Sequence, residues 1–226
     1  MLNTEKNQGK GCRLLEKFTG LTGLSGLEYA LPGNIIMTDD PMRTKMLAAH
    51  LLENSEIIYE LRGMVGYSGS YKKQKIAIAS VGFGESSALL YLHDAAALGG
   101  KRIVYLGECI STTANIGLRE VIISNSGDRQ LISQTLATAR ELSIVANPRN
   151  VVTDDRFQID DGGLTGDVID FASGVISTYA LKRKIAIVAI LTVSRNLATG
   201  ESMEEHERQS RMNDAARLAF ETLAMG

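Results

Sequence analysis

The chain has 226 residues, 24 Lys and Arg against 26 Asp and Glu, a formal charge of −2, and 44% hydrophobic and 22% charged residues. That length bounds it to one large domain or two small ones, with room for a sizeable core. The balanced charge gives no footing for nucleic acid or an acidic membrane surface, and two cysteines, Cys12 and Cys109, make no disulfide framework and fit a reducing cytoplasm.

Residues 1–30 are rich in Gly, Lys and Thr and lack the apolar stretch of a signal peptide. They read as a leader, poorly ordered or ordered only against a partner chain, ahead of one domain over 31–226. Next comes Met37-Thr-Asp-Asp-Pro-Met-Arg-Thr-Lys45, after the apolar pair Ile35-Ile36. A proline at a helix start followed by an arginine looks like an anion-binding turn, yet Asp39 and Asp40 stand in the turn itself. Strands are expected over Lys75–Val81, Arg102–Leu106 and Glu120–Ser124, and helices over Ser86–Leu98 and Leu131–Leu142. A helix over Gly166–Leu181 should lead into the strand Lys184–Val193, whose apolar run is too short to span a bilayer. Met203–Leu223 reads as one long amphipathic helix. His50, His93 and His206 fall in helices without metal-ligand spacing, so neither metal nor cofactor is expected.

Continuous apolar strands between helices predict an α/β domain, a mixed central sheet with helices on both faces. Ligands of such folds lie beyond the carboxyl ends of the strands, which selects Gly82-Phe-Gly84, Gly107-Glu-Cys109 and Ser194-Arg-Asn196. Each stretch alone is equally well explained as a tight turn that needs glycine or a small residue.

Together these stretches resemble the nucleoside phosphorylase family, which includes purine nucleoside and uridine phosphorylases and related nucleosidases. RGMVGYSGSYKKQKIAIASVGFGESSALLY (Arg62 to Tyr91) is similar to the family's Arg-Gly-Met-Leu-Gly-Phe-Thr-Gly-Thr-Tyr run and Gly-Met-Gly turn. TDDPMRTKMLA is similar to its Gly-Asp-Pro-x-Arg phosphate turn, and IVYLGECIST to its Ile-Arg-Val-Gly-Ser/Thr-Cys-Gly strand end. LTVSRNLATGESMEEHERQSRMNDAARLAFETL is similar to its Thr-Val-Ser-Asp-His-x-x-Thr-Gly-Glu segment and the helix after it. The matches keep the family's order. They imply a nucleoside phosphorylase-like domain, a nucleoside or nucleobase as small-molecule ligand, cleavage of its N-glycosidic bond, and a homodimer or hexamer.

Carried over residue by residue, the resemblance implies an altered site. Arg43 stands at one phosphate arginine and Arg62 at the arginine given to a neighbouring chain; Gly107 keeps its glycine. Tyr105 replaces a second arginine, Glu108 a Ser/Thr, and Asp39 a glycine. Two unit charges about 4 Å apart repel by about 4 kcal/mol at an effective dielectric of ~20, and a dianion facing such carboxylates would meet at least that much. Phosphate is therefore not expected to bind in the usual way, and Arg43 and Arg62 should pair with Asp39 and Glu108 in a self-neutralised cluster. The family's sugar-gripping Glu-Met-Glu run falls on Asp170-Phe171-Ala172, leaving Asp170 as the carboxylate if the register slips. Arg195 replaces the acid that protonates the leaving base, and an arginine has no proton to give. Arg208, the family's partner to that acid, would then face a like charge. Met64, Phe157, Phe171 and Asn196 match positions around the nucleoside, although a lone Phe or Met is as well explained by core packing.

Three readings follow from this pattern. One is an enzyme cleaving N-glycosidic bonds, by hydrolysis rather than phosphorolysis, with Glu108, Asp170 and Arg195 at the reacting bond. The second is a binding or regulatory homologue without turnover. The third has Arg62 complete the site of an active relative in a hetero-oligomer.

Overall fold

The computed structural model describes residues 21–155, 166–210 and 213–225, with the side chains of 209, 210 and 213 left aside. Among these residues the strands form one ten-stranded sheet in the order β2-β3-β4-β1-β5-β10-β6-β7, with β9 on β5 and β8 on β9. Strands β1 (Asn34–Thr38), β4 (Gln74–Ser80), β5 (Arg102–Ser111) and β10 (Ala186–Asn196) make its parallel centre. On one side β2 (Glu53–Leu61) and β3 (Met64–Tyr71) extend it as an antiparallel meander. On the other, β6 (Val121–Ser124) runs antiparallel to β10 and β7 (Ala146–Arg149) parallel to β6. Two short strands, β8 (Val151–Thr153) and β9 (Val168–Asp170), pair beyond the carboxyl end of β5.

Burial follows the period of two that strands impose. Ile35, Met37, Ile187, Ala189, Leu191 and Val193 face a core closed by α2 (Glu85–Ala97) and α4 (Ser173–Lys182). Ile36, Val188 and Ile190 face the opposite core, closed by α1 (Pro41–Leu51), α3 (Arg129–Glu141) and α6 (Asn213–Ala224). With both faces covered, the central strands read as unbroken apolar runs rather than alternating ones.

Several sequence expectations need correction. The stretch Gly166–Leu181 is not one helix: it holds β9 and then α4. Within the expected Met203–Leu223 helix, the described residues are helical over α5 (Glu205–Ser210) and α6, while Met203 and Glu204 precede the helix. Strand β5 runs on through Gly107, and β10 through Ser194 to Asn196, so two of the three candidate turns lie inside strands. Of residues 21–30, Leu24 is fully buried in the α2-side core and Thr22 hydrogen-bonds Asp94, while residues 28–30 are exposed. Residues 1–20 of the expected leader lie outside the described residues, as does Phe157. No helix among the described residues is long and apolar enough to cross a membrane.

Candidate functional site

The carboxyl end of β1 turns directly into α1. Asp40 is its N-cap, accepting hydrogen bonds from the Met42 and Arg43 amides at 2.7 and 3.3 Å, and Pro41 opens the helix. The amides that would greet an anion are thus already held by the chain's own carboxylate. One turn in, Arg43 points back under the strand ends and is almost wholly buried. Its Nη1 donates to Asp39 Oδ1 at 2.5 Å and its Nη2 to Glu108 Oε1 at 2.7 Å. Arg208 closes the chain of charges from α5, Nε and Nη2 reaching Glu108 Oε2 at 2.8 and 2.7 Å. Two guanidinium groups and two carboxylates balance.

The sequence expectation of a self-neutralised cluster therefore holds in kind but not in membership. Arg208, not Arg62, is the second cation. Arg62 sits exposed at the tip of the β2–β3 hairpin at φ +55°, next to Gly63 at φ +80°, and takes part in none of the cluster's ion pairs. Nor does Arg208 stand against Arg195 as an unrelieved like charge, since Glu108 lies on its guanidinium. Burial raises the Asp39 carboxyl above its ordinary range despite the pull of Arg43, with Glu108 adding to the rise. Burial works against the charge of Arg43, but Asp39 and Glu108 outweigh it and hold the guanidinium protonated.

Tyr105 lies beside this cluster, buried in the α2-side core, and burial pushes its phenol well up, with the Asp39 charge adding to the rise. A side chain on Gly107 would bring a Cβ within 2.9 Å of the Tyr105 ring, which explains the glycine there without invoking an anion. Met64 packs partly buried on the same core near the Gly82 turn.

Next to the cluster opens a cavity of about 450 Å³, lined among others by Phe83, Phe171, Asp155, Glu108, Arg195 and Arg208. Phe83 and Phe171 meet edge to face at 6.1 Å. Gly84, at φ +92°, opens α2 beneath them, and Asp155 Oδ2 accepts the Glu85 amide at 2.9 Å. Glu108 is the member of the charge cluster's carboxylate pair that reaches the cavity; Asp39 is 2% exposed and sits behind Arg43.

Two expected site residues are used by the scaffold instead. Asp170 is buried at the end of β9, where Oδ1 accepts from Thr153 at 2.6 Å and Oδ2 from the Ser173 and Ala172 amides at 2.7 and 3.3 Å. It fixes the start of α4, and neither it nor the buried Ala172 lines the cavity. Burial raises the Asp170 carboxyl, against these hydrogen bonds. Asn196 donates to the Thr113 and Ile116 carbonyls and accepts from the Ala198 and Thr199 amides, clamping two loops with both ends of its amide. An Asn followed by a Gly-containing turn is a signal for such a role. Asp170→Ala is expected to cost about 1–3 kcal/mol of stability through the lost cap and orphaned amides, read in a denaturant titration. Among the described residues no group of His, Cys, Asp and Glu is arranged to hold a metal.

The fold and site define an α/β protein with a small-ligand cavity at the carboxyl ends of its strands, beside a closed charge cluster. Comparison with known proteins agrees. A DeoD-type purine nucleoside phosphorylase of Exiguobacterium sibiricum is 28% identical over 227 residues, covering 88% of this chain and 97% of that one. The DeoD-type enzyme of Caldanaerobacter subterraneus subsp. tengcongensis is 27% identical, over 83% of this chain and 93% of its own. In fold, the chain is similar to a Toxoplasma gondii purine nucleoside phosphorylase solved with immucillin-H, with a TM-score of 0.75 and 19% identity over 86% of this chain and 90% of that one. No family model matches the chain. Over most of its length the chain is thus similar to purine nucleoside phosphorylases, at 27–28% identity, and it shares their fold.

Proposed function

We propose that this protein takes a purine nucleoside into the Phe83–Phe171 cavity and cleaves its N-glycosidic bond with water, not phosphate, as the acceptor. The observation that carries this reading is the closed Asp39–Arg43–Glu108–Arg208 cluster, in which each arginine is already paired with an internal carboxylate. The purine follows from the relatives, which are named as purine nucleoside phosphorylases. Glu108, at the cavity edge, is the carboxylate placed to orient a water and to face the positive charge that builds on the sugar as the bond breaks. Arg195 cannot protonate the leaving base but can stabilise its developing negative charge by donating hydrogen bonds. Arg62, exposed on its hairpin, reaches a neighbouring chain in a homo-oligomer, and the protein works in the cytoplasm.

A second reading has an observation of its own. Glu108 is gripped by two arginines that occupy both of its oxygens, and Asp170 and Asn196 are committed to the scaffold. On this reading the nucleoside is bound and not turned over. Incubation with purine nucleosides, with and without inorganic phosphate, separates the two. Base release at equal rate in both supports hydrolysis; binding heat with no release supports the second reading. Release that requires phosphate overturns both.

A further inference from the structure

We infer that the cavity selects 6-oxopurines and that Arg195 is the residue that selects them; this deepens the nucleoside reading above and rests on it. Strand β10 keeps register with β5 to Val193 opposite Cys109, then resumes with Arg195 opposite Ile110. Ser194 is the extra residue of a β-bulge. In an unbroken strand Ser194 and Arg195 would face opposite sides. A bulge re-aims side chains, and here Ser194, Arg195 and Ile110 all line the one cavity.

A guanidinium is a donor only, and its fork matches two acceptors side by side. Guanine and hypoxanthine offer O6 and N7 in that arrangement; adenine offers N7 beside an amino group, a donor that would face a cation. Among the described residues no carboxylate pairs with Arg195 to offset that preference. Asn196, the neighbouring side chain able to read either edge, is locked into the loop clamp. The cavity also holds an acceptor in Asp155, whose carboxylate keeps capacity beyond the Glu85 amide. A 6-oxopurine carries an N1–H for such an acceptor, and adenine has none. Donor and acceptor in the cavity thus both favour the same base edge.

The test is a calorimetric titration, without phosphate, of guanosine, inosine, adenosine and uridine into the protein and into Arg195→Ala. If nucleosides are consumed, guanine, hypoxanthine, adenine and uracil take their place. Guanosine and inosine are expected to bind about tenfold or more tighter than adenosine, and Arg195→Ala to erase that difference with an unchanged unfolding midpoint. Arg195→Asp should turn the preference toward adenosine. Equal affinities in the unaltered protein, or a preference that survives Arg195→Ala, overturn the inference and leave the nucleoside reading standing. No heat from any of the four overturns both.

Discussion

Replacing Arg43 with methionine is expected to destabilise the fold by about 3–5 kcal/mol, the cost of leaving buried charges without their partner. Arg43 is 1% exposed, and it touches both Asp39 and Glu108. Glu108 keeps Arg208, so the larger share of the penalty falls on Asp39, which is 2% exposed. For a chain of this size the unfolding midpoint should fall by roughly 6–20 °C. The pH dependence has a definite sign. The native carboxyl of Asp39 is already raised above its ordinary value, so its contribution is fully present below ~3.9 and is lost as pH rises through the native value. Without Arg43 that native value climbs further. The deficit of Arg43→Met should therefore be larger at high pH and shrink as pH falls. Adding D39N, which removes the orphaned charge, should recover part of the loss. A deficit under about 1 kcal/mol would mean that the cluster contributes little to stability.

The cluster was partly visible in the sequence because its chemistry is carried by residue type. A Pro, an Arg and two Asp in one turn can be read without coordinates, and so can a Glu at the end of an apolar strand. What could not be read was distance. Arg62 and Arg208 are equally good cations on paper, and only the hairpin places one in solvent while α5 places the other on Glu108. Asp170 and Asn196 show the same limit: a carboxylate or amide near a strand end can cap a helix, clamp a loop or hold a ligand, and here the backbone claims both.

The fold was most legible where burial is double-sided. Strands β4, β5 and β10 each carry an unbroken apolar run (Ile76–Ala79, Ile103–Leu106 and Ala186–Leu191), as a covered parallel sheet requires. The β2–β3 hairpin was not legible: Glu53, Glu56 and Glu60 break the apolar pattern of β2, and Gly66 and Gly69 weaken that of β3. The β9 segment failed for length, since three residues between loops carry no period. The bulge at Ser194 has no sequence signature at all, yet it decides what the cavity presents.

The expected result for D39G/E108S is the gain of a phosphate site. The substitutions remove the carboxylates that occupy Arg43 and release Arg208 from Glu108. Each pair of unit like charges about 4 Å apart costs about 4 kcal/mol at an effective dielectric of ~20, so removing two carboxylates should tighten inorganic phosphate binding by at least about 100-fold even after heavy screening. The effect should be read by calorimetry at low ionic strength. Taking away the internal partners also leaves Arg43 buried and unmatched, so the variant should be less stable than its parent without phosphate. Phosphate then acts as the missing partner: because it binds only the folded form, it should raise the variant's unfolding midpoint in a concentration-dependent way and leave that of the unaltered protein in place. D39N/E108Q preserves side-chain shape while removing charge, and it guards against a fold lost through the cavities that the smaller residues leave. If neither variant gains affinity, the carboxylates are not what excludes phosphate. If the unaltered protein already responds to phosphate as the variants should, the closed cluster opens on contact with the ion, and the reaction it serves is phosphorolysis.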